Sequence, residues 1–145
     1  MYYGALEAGG TKMVCAIGDA DKNIIDRISI PTGTPEQSVP AMIDYFKKYD
    51  ISALGIGTFG PADINPNSPT YGSIMRSPKK DWEGFSLYKA FTDALGCLVV
   101  VDTDVNAAAW GEYLYGALKG LNSGMYLTVG TGIGGGIISD GRLIH

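Results

Sequence analysis

Apolar residues in this chain fall into short runs whose spacing changes along the sequence. The first three runs, residues 2–6, 13–18 and 24–30, alternate with polar positions or are continuously apolar, and glycine-rich or polar turns separate them. Short runs bounded by turn residues are typical of β-strands. Because no helical pattern lies between them, they predict a three-stranded antiparallel meander.

Helical spacing first appears after Thr34, where Thr34, Pro35 and Gln37 match a capping box with proline in the first turn. The apolar face of this helix consists of Val39, Met42, Ile43 and Phe46. Two more helices are predicted, one near residues 87–95 and one from residue 107 to Leu118. Residues 51–59 and 97–101 predict strands, and the continuous apolar run 97–101 predicts a central strand buried on both faces.

The order of these elements defines a fold class. Strand, strand, strand, helix, strand, helix, strand, helix is the ribonuclease-H-like topology, an α/β lobe with a mixed five-stranded sheet, and we expect it to occupy residues 1–120. A new strand at 125–129 and a returning partner at 137–141 predict the first hairpin of a second, similar lobe, in residues 121–145. The irregular stretch 62–83 is long for a compact domain, which favours a functional or a disordered loop.

Composition narrows the class of protein. Glycine accounts for 21 of 145 residues, about 14% against an ordinary usage of about 7%, and the glycines cluster at turns. The net charge is −4 and the only basic cluster is Lys79-Lys80, which argues against a nucleic-acid surface. No apolar run approaches the ~18 residues of a membrane span, and Cys15 and Cys97 lie in apolar runs typical of core thiols. We therefore expect a cytoplasmic protein without a membrane partner.

Two glycine-rich turns are candidate phosphate sites. Glu7-Ala8-Gly9-Gly10-Thr11-Lys12 lies near the start and Gly130-Thr131-Gly132-Ile133-Gly134-Gly135-Gly136 near the end. Glycine lets backbone N–H groups approach a bulky anion, although either turn alone is also compatible with a purely structural hairpin. The second turn fits a dinucleotide fingerprint formally, but strand-like residues follow where that fingerprint needs a helix. The first turn does not fit the Walker pattern.

Asp104 is the candidate for acid–base chemistry. It follows an apolar strand and begins a helix, so its carboxylate is expected at the carboxyl edge of the sheet, where open α/β sheets bind ligands. Helix capping is the alternative role for Asp102, Thr103 or Asp104. Phosphoryl transfer to a hydroxyl needs one proton acceptor and cations on the phosphates. Lys12 offers an ammonium, and Glu7 offers a carboxylate for a hydrated Mg²⁺.

Together these segments resemble the N-terminal half of sugar kinases of the ROK family, most closely its bacterial fructokinase branch, within the actin and hexokinase superfamily. The resemblance covers essentially the whole chain. It rests on the first turn, on Gly57-Thr58-Phe59-Gly60-Pro61-Ala62-Asp63, on the segment from Asp102 to Ala109 with Gly111-Glu112, and on the second turn.

The resemblance implies an ATP-dependent, Mg²⁺-assisted phosphorylation of a hexose at its 6-hydroxyl. Asp104 would be the general base. The implied phosphate ligands are Gly9, Gly10, Thr11, Lys12, Gly130, Thr131 and Gly132. The implied sugar-side residues are Gly60, Thr103 and Asn106. Glu7 stands where the superfamily usually has aspartate, and Thr103 stands where glucose-type members have asparagine, which favours fructose over glucose.

Family members are about twice as long as this chain. The resemblance therefore implies that a sugar-contacting Glu-x-Gly-His segment, a structural zinc motif and the adenine-binding lobe belong to a second half, that the full-length protein is a homodimer, and that the 145-residue chain alone is inactive. His145, the only histidine, is not assigned to zinc. The alternatives are a glucose or mannose kinase, a sugar-sensing regulator, which would carry a DNA-binding segment before the first strand, and a non-catalytic assembly module.

Overall fold

The computed structural model describes residues 1–130 and 132–145. Its first three strands are β1 (Tyr2–Ala8), β2 (Lys12–Asp19) and β3 (Ile24–Pro31). β1 pairs antiparallel with β2, and β2 with β3. The predicted meander is confirmed, because the two connecting turns are too short for any other arrangement of these strands.

Two further strands, β4 (Ile51–Thr58) and β5 (Leu98–Thr103), complete a five-stranded sheet in the order β3-β2-β1-β4-β5. β4 runs parallel to β1 and β5 runs parallel to β4. The sheet is therefore mixed, as predicted. Its three parallel strands end at one edge of the sheet, which is the edge where ligands bind in open α/β sheets.

The predicted burial of β5 on both faces is wrong. β5 is an edge strand, and Leu98 and Val100 are 66% and 52% exposed whereas Val99 and Val101 are buried. A run of apolar residues indicates a strand but does not tell whether both of its faces are covered. In this chain, helix packing covers only the face that carries Val99 and Val101.

Helices α1 (Pro35–Phe46) and α2 (Leu87–Leu95) cover that face. The predicted capping box at Thr34 and Gln37 is present at the start of α1. The core beneath the helices is formed by Leu6, Met13, Cys15, Phe46, Leu54, Phe91 and Val101, among others. Burial raises the pKa of the Cys15 thiol to about 12, which keeps it protonated and inert.

Helix α3 (Asp104–Tyr115) packs against β4 and also against a second, three-stranded sheet. It was predicted to extend to Leu118 but ends at Tyr115, where Gly116 interrupts it. The N–H of Gly116 donates to the Glu112 carbonyl, and the N–H of Ala117 donates to the Glu112 carboxylate. These two bonds satisfy groups at the helix end and turn the chain away from the helix axis.

The second sheet consists of β6 (Gly124–Val129), β7 (Ile133–Ser139) and β8 (Arg142–Leu143), all antiparallel. The predicted hairpin is present, but its returning strand begins at Ile133 rather than at residue 137, so Gly134, Gly135 and Gly136 of the second glycine turn lie within β7. β8 was not predicted, since two residues after an Asp140-Gly141 turn are too few to give a periodic signal. Because a strand follows the glycines, the dinucleotide-binding arrangement is excluded.

The connecting loop, residues 59–86, links β4 to α2 and is ordered by specific contacts. It contains a short 3₁₀ helix at Lys80–Trp82. The buried indole of Trp82 donates to the Gly33 carbonyl at 2.9 Å. The Tyr71 hydroxyl donates to the Val101 carbonyl and accepts from the Val101 N–H, at 2.9 and 2.8 Å. Among the residues described, no helix is long and apolar enough to cross a membrane.

Candidate active site

The three parallel strands bring the predicted site residues to one edge of the sheet. Glu7 pairs with Gly57 and Gly57 with Asp102 across β1, β4 and β5. Neighbouring strands are about 4.8 Å apart, so the backbones of Glu7 and Asp102 are about 10 Å apart, with Gly57 between them. Each of the three strands then leads into a segment that the sequence analysis singled out.

The start of α3 packs closely against both sheets. A Cβ atom on Gly57 would lie 2.9 Å from the Cβ of Ala107 and 3.4 Å from the Cα of Asp104. On the other side, a Cβ on Gly136 would lie 2.1 Å from the carbonyl oxygen of Val105. Side chains at these two glycines would push the helix away, so glycine fixes the position of the helix start relative to both sheets.

Thr103, not Asp104, caps α3. The Thr103 hydroxyl accepts the N–H of Asn106 at 3.2 Å. Asp104 is the first helical residue, and its Oδ1 accepts the N–H of Val105 at 2.9 Å. Within the part of the chain that the structure describes, Oδ2 of Asp104 has no hydrogen-bond partner. One carboxylate oxygen of this half-buried residue is therefore available to a ligand.

The carboxylate of Asp104 lies in a groove of about 670 Å³ between the sheet and α3. Glu7, Asp102 and Asn106 line the same groove, and its apolar walls include Trp110 and Tyr126. The structure thus places Glu7 and Asp104 in one groove although they are 97 positions apart in sequence. An apolar groove with a few converging polar groups has the character of a small-molecule site.

A polar cluster supports the start of α3. Asp102 Oδ1 accepts the N–H of Thr103 at 2.7 Å and the side-chain amide of Asn106 at 2.8 Å. Oδ2 of Asp102 lies 2.8 Å from Nε2 of His145, which follows β8. Asn106 is buried, and its amide nitrogen is engaged inside the protein. The sequence analysis missed the Asp102–His145 contact because nothing local relates residues 43 positions apart.

The first glycine turn is a tight hairpin with unused donors. The N–H of Gly9 donates to the Lys12 carbonyl at 3.0 Å. Thr32, just after β3, supports the turn by donating its hydroxyl to the Gly9 carbonyl and its N–H to the Thr11 carbonyl, at 2.7 and 3.0 Å. The N–H groups of Gly10 and Thr11 have no acceptor among the residues described. The turn therefore presents two adjacent backbone donors to solvent.

The glycines of the second turn differ in what surrounds them. A Cβ on Gly134 or Gly136 would collide with Val105 of α3, so packing accounts for these two. At Gly130 and Gly132 a Cβ would meet nothing within 4 Å. Packing therefore does not explain why glycine occupies these two positions. The close approach of a ligand is a physical reason for glycine there. The predicted ligand Thr131 lies outside the described residues.

Gly60 lies beside the first turn. The preceding residue, Phe59, donates its N–H to the Ala8 carbonyl at 2.8 Å, which ties the start of the connecting loop to the end of β1. A Cβ on Gly60 would have no contact closer than 3.6 Å. Farther along, Asp63 accepts the hydroxyls of Ser68 and Thr70, and these bonds lower its pKa.

The carboxylates fit a weakly held Mg²⁺ better than a metal cage. Within residues 1–130 and 132–145 no three potential metal ligands of the His, Cys, Asp and Glu types cluster together. Mg²⁺ commonly keeps several waters and takes one or two carboxylates together with substrate phosphates. The exposed carboxylate of Glu7, in the groove of Asp104 and next to the first turn, suits that mode.

Comparison with known proteins decides the family. The model of the ROK family matches residues 3–145. The chain belongs to the ROK family. This ROK chain is 48% identical to a putative fructokinase from Bacillus subtilis over 98% of its own length and 48% of that protein, and 43% identical to a fructokinase from Pediococcus pentosaceus over its whole length and 50% of that protein.

A solved structure gives the same picture of the fold. The ROK family glucokinase from Streptomyces griseus, determined with glucose and AMPPNP, superposes with a TM-score of 0.84 at 32% identity, covering 99% of this chain and 46% of that one. The predicted fold class, the N-terminal lobe of the actin and hexokinase type, is confirmed. The chain spans about half the length of the curated relatives it matches.

Proposed function

We propose that a protein containing this lobe is an ATP-dependent hexose kinase, which converts fructose to fructose 6-phosphate. The observation that carries the proposal is Oδ2 of Asp104, which has no hydrogen-bond partner among the described residues and lies at the end of a parallel strand, in a groove near the first glycine turn. The names of the relatives from Bacillus subtilis and Pediococcus pentosaceus support the assignment to fructose.

Asp104 acts as the general base in this proposal. The 6-hydroxyl oxygen of the sugar attacks the γ-phosphorus of ATP, and its proton passes to Oδ2 of Asp104. The new bond joins the sugar oxygen to phosphorus, and the bond between phosphorus and the β,γ-bridging oxygen breaks, releasing ADP. Oδ1 is held by the N–H of Val105, so the carboxylate keeps one orientation while Oδ2 takes the proton.

The two glycine turns bind the phosphates of ATP. The N–H groups of Gly10 and Thr11 and the ammonium of Lys12 donate from the first turn, in which Gly9 provides the tight bend. In the second turn the open space at Gly130 and Gly132 admits a phosphate group, and Thr131 is the further phosphate ligand in this proposal. Backbone donors aimed at developing negative charge are among the most effective catalytic devices in proteins.

Glu7 would hold the hydrated Mg²⁺ that accompanies ATP. When bound, this ion neutralises charge on the phosphate oxygens. The contribution of this chain is the carboxylate of Glu7, which lies on the same row of the sheet as Asp102 and lines the groove of Asp104. Its exposure leaves room for the waters that Mg²⁺ retains.

Gly60, Thr103 and Asn106 form the sugar side of the site. The Thr103 hydroxyl accepts a backbone bond and keeps its own proton available for a sugar oxygen. Asn106 acts through Asp102, because its amide nitrogen is bound there. Glucose or mannose is the alternative substrate, favoured by the fold match to a glucokinase. A non-catalytic sugar-sensing regulator is disfavoured by the available carboxylate oxygen of Asp104.

We further infer the setting of the whole protein from its family. It is a cytoplasmic homodimer without nucleic-acid or membrane partners, and a structural zinc site lies in the half that this chain does not contain. The net charge of −4 agrees with the absence of a nucleic-acid partner. Metal analysis and native mass measurement of a full-length protein test these points.

A chimera tests the activity. Residues 1–145 are joined to the second half of the Bacillus subtilis relative, and ADP release is measured with fructose, mannose and glucose. We expect the highest kcat/KM with fructose. Asp104→Asn should lower kcat by about 10²–10⁴-fold, the usual contribution of a general base. Asp44→Asn is the control, since Asp44 is exposed on α1, which covers the sheet face opposite the groove.

Two results would contradict the proposal. A chimera that folds but releases no ADP with any of the three sugars would remove the kinase assignment. Full turnover by Asp104→Asn would remove Asp104 as the base. The 145-residue chain alone is expected to show no turnover, because in this family the adenine site belongs to the second half.

A further inference from the structure

Lys79, in the connecting loop, stands over the first glycine turn. A Cβ atom placed on Gly10 would lie 3.8 Å from the Cε of Lys79, so the end of this side chain lies beside the turn, whose Gly10 and Thr11 N–H groups have no acceptor among the residues described. Lys79 has no role in the mechanism proposed above. The inference below rests on the proposed phosphate-binding function of that turn.

The backbone of Lys79 is held in place. Its N–H donates to the hydroxyl of the buried Ser77 at 3.1 Å, and its carbonyl accepts the N–H of Trp82 at 3.0 Å. Trp82 is itself buried, and its ring meets those of Phe59 and Phe85 edge-on. The ammonium of Lys79 is exposed, but the backbone from which its side chain extends is fixed by these contacts.

The connecting loop and the first glycine turn both form hydrogen bonds with residues 32–33. The indole of Trp82 donates to the Gly33 carbonyl, and the neighbouring Thr32 holds the carbonyls of Gly9 and Thr11. Lys79 is thereby linked through Trp82 and the segment 32–33 to the turn beside which it lies. This path of hydrogen bonds fixes the backbone of Lys79 relative to the turn.

Charge distinguishes Lys79 from its neighbour. Lys80 lies 3.9 Å from the carboxylate of Glu83. Neither Lys79 nor Lys12 has a carboxylate within ion-pair distance among the residues described. Among the residues described, two lysines without a paired carboxylate therefore adjoin the first turn, because Lys12 is its last residue and the Cε of Lys79 lies beside Gly10. A polyanion bound at this turn is attracted by both positive charges.

We propose that Lys79 is a second cationic ligand of the nucleotide's phosphate chain, acting opposite Lys12 across the first glycine turn. The ligand class is a linear polyphosphate group, as in a nucleoside triphosphate. Lys12 approaches from β2 and Lys79 from the connecting loop, so the phosphate chain is held from two sides. The loop then serves phosphate binding as well as the sugar side.

Tripolyphosphate, without adenosine or sugar, is the probe. The 145-residue chain is titrated with it at low ionic strength, and the amide resonances of Gly9, Gly10 and Thr11 are followed by NMR. Lys79→Met should raise the dissociation constant about tenfold, in line with the loss of one charge-assisted contact. It should also make that constant less dependent on salt. Lys79→Arg should retain most of the affinity, and Lys80→Met should bind as the wild type does.

Three outcomes overturn the inference. Lys79→Met with wild-type affinity shows that Lys79 does not touch the phosphates. Equal weakening by Lys79→Met and Lys80→Met shows a general effect of charge. Absence of tripolyphosphate binding by the wild-type chain removes the phosphate site itself. Unchanged thermal melting of the variants, measured alongside, separates lost binding from lost structure.

The outcome is separable from that of the kinase assignment. Tripolyphosphate binding by this chain does not require sugar turnover, so the chimera can fail to phosphorylate any hexose while the effect of Lys79 persists. Conversely, an active chimera in which Lys79→Met leaves the KM for ATP unchanged refutes the role of Lys79 and leaves the kinase assignment in place.

Discussion

Gly130 and Gly136 are six positions apart, but different neighbours surround them. Alanine at Gly136 would place its Cβ 2.1 Å from a backbone oxygen of α3, whereas alanine at Gly130 would meet nothing within 4 Å. We expect Gly136→Ala to lower the free energy of unfolding by about 1–3 kcal/mol, a typical cost of overpacking, and Gly130→Ala to leave it nearly unchanged. Urea denaturation of the two variants measures the difference.

The same pair separates packing from ligand binding. In the active chimera, Gly130→Ala should raise the KM for ATP, since its methyl group would occupy the space proposed for a phosphate. Equal destabilisation by Gly130→Ala and Gly136→Ala would contradict the open space at Gly130. If Gly130→Ala leaves the KM unchanged, the second turn does not bind phosphate.

Tyr71 closes part of the free edge of β5. Its hydroxyl exchanges two hydrogen bonds with the backbone of Val101, so its removal leaves a donor and an acceptor without a protein partner. We expect Tyr71→Phe to lower the free energy of unfolding by about 1–3 kcal/mol. Tyr88→Phe is the matched control, because the ring of Tyr88 packs on Tyr71 at 5.0 Å but its hydroxyl has no hydrogen bond in the described chain. An equal loss in both variants would contradict the role of the Tyr71 hydroxyl.

Local signals predicted some site residues well and missed others. Asp104 was expected where an apolar strand meets a helix, and the structure places it there. The contacts of His145 with Asp102 and of Lys79 with the first turn escaped prediction, because they join segments about 40 to 70 residues apart. Such contacts depend on the assembled sheet, and one sequence contains no periodic signal for them.

Secondary structure was predictable wherever a segment carries its own signal. The capping box at Thr34 and the alternating strands of the meander are such cases. The position of β5 at the sheet edge was not predictable, because strand order is set by contacts between distant segments. α3 ends at Tyr115 because Gly116 interrupts it. The apolar spacing continues to Leu118, and it therefore predicted a longer helix.

Asp63 orders the first part of the connecting loop. Hydrogen bonds from the hydroxyls of Ser68 and Thr70 lower the pKa of its carboxyl. A carboxyl with a lowered pKa stabilises the folded state above its unfolded pKa of about 3.9, and that contribution is lost as pH falls through the folded value. The free energy of unfolding should therefore fall less steeply below about pH 4 in Asp63→Asn than in the wild type. Urea denaturation from pH 6 to pH 2 measures it.

The control for that measurement is Asp44→Asn, on the exposed face of α1. Asp44 makes no side-chain hydrogen bond within the described residues, so its variant should retain the acid dependence of the wild type. The role of Asp63 in the loop is refuted if both variants retain the full loss of stability at low pH.

The molecule as a whole consists of a five-stranded sheet, a three-stranded sheet and α3 between them. Residues 116–123 join α3 to β6 of the second sheet, and the division into lobes 1–120 and 121–145 stays a prediction. On the three-stranded sheet, the face opposite α3 is apolar. Its exposed residues are Met125, Leu127, Val129, Ile133 and Ile137.

That face is continuous across the strands. Met125 pairs with Ile137 and Val129 with Ile133, so apolar side chains adjoin on one surface. Val129 and Ile133 are 76% and 79% exposed. Contiguous apolar surfaces of this kind mark protein contacts in soluble proteins. In relatives about twice as long, further chain is available to cover it, whereas the 145-residue chain leaves it open.

We expect the 145-residue chain to self-associate through this face. The weight-average mass from sedimentation equilibrium should rise with concentration above the 15.3 kDa of one chain. Leu127→Glu places a charge at the centre of the face and should restore the monomer, because pairing the face would then bury an unpaired carboxylate. Ile24→Glu is the matched control, as Ile24 is 71% exposed on β3 of the other sheet. A wild-type chain that stays monomeric at all concentrations, or a response to Ile24→Glu equal to that of Leu127→Glu, would show that this apolar face does not drive association.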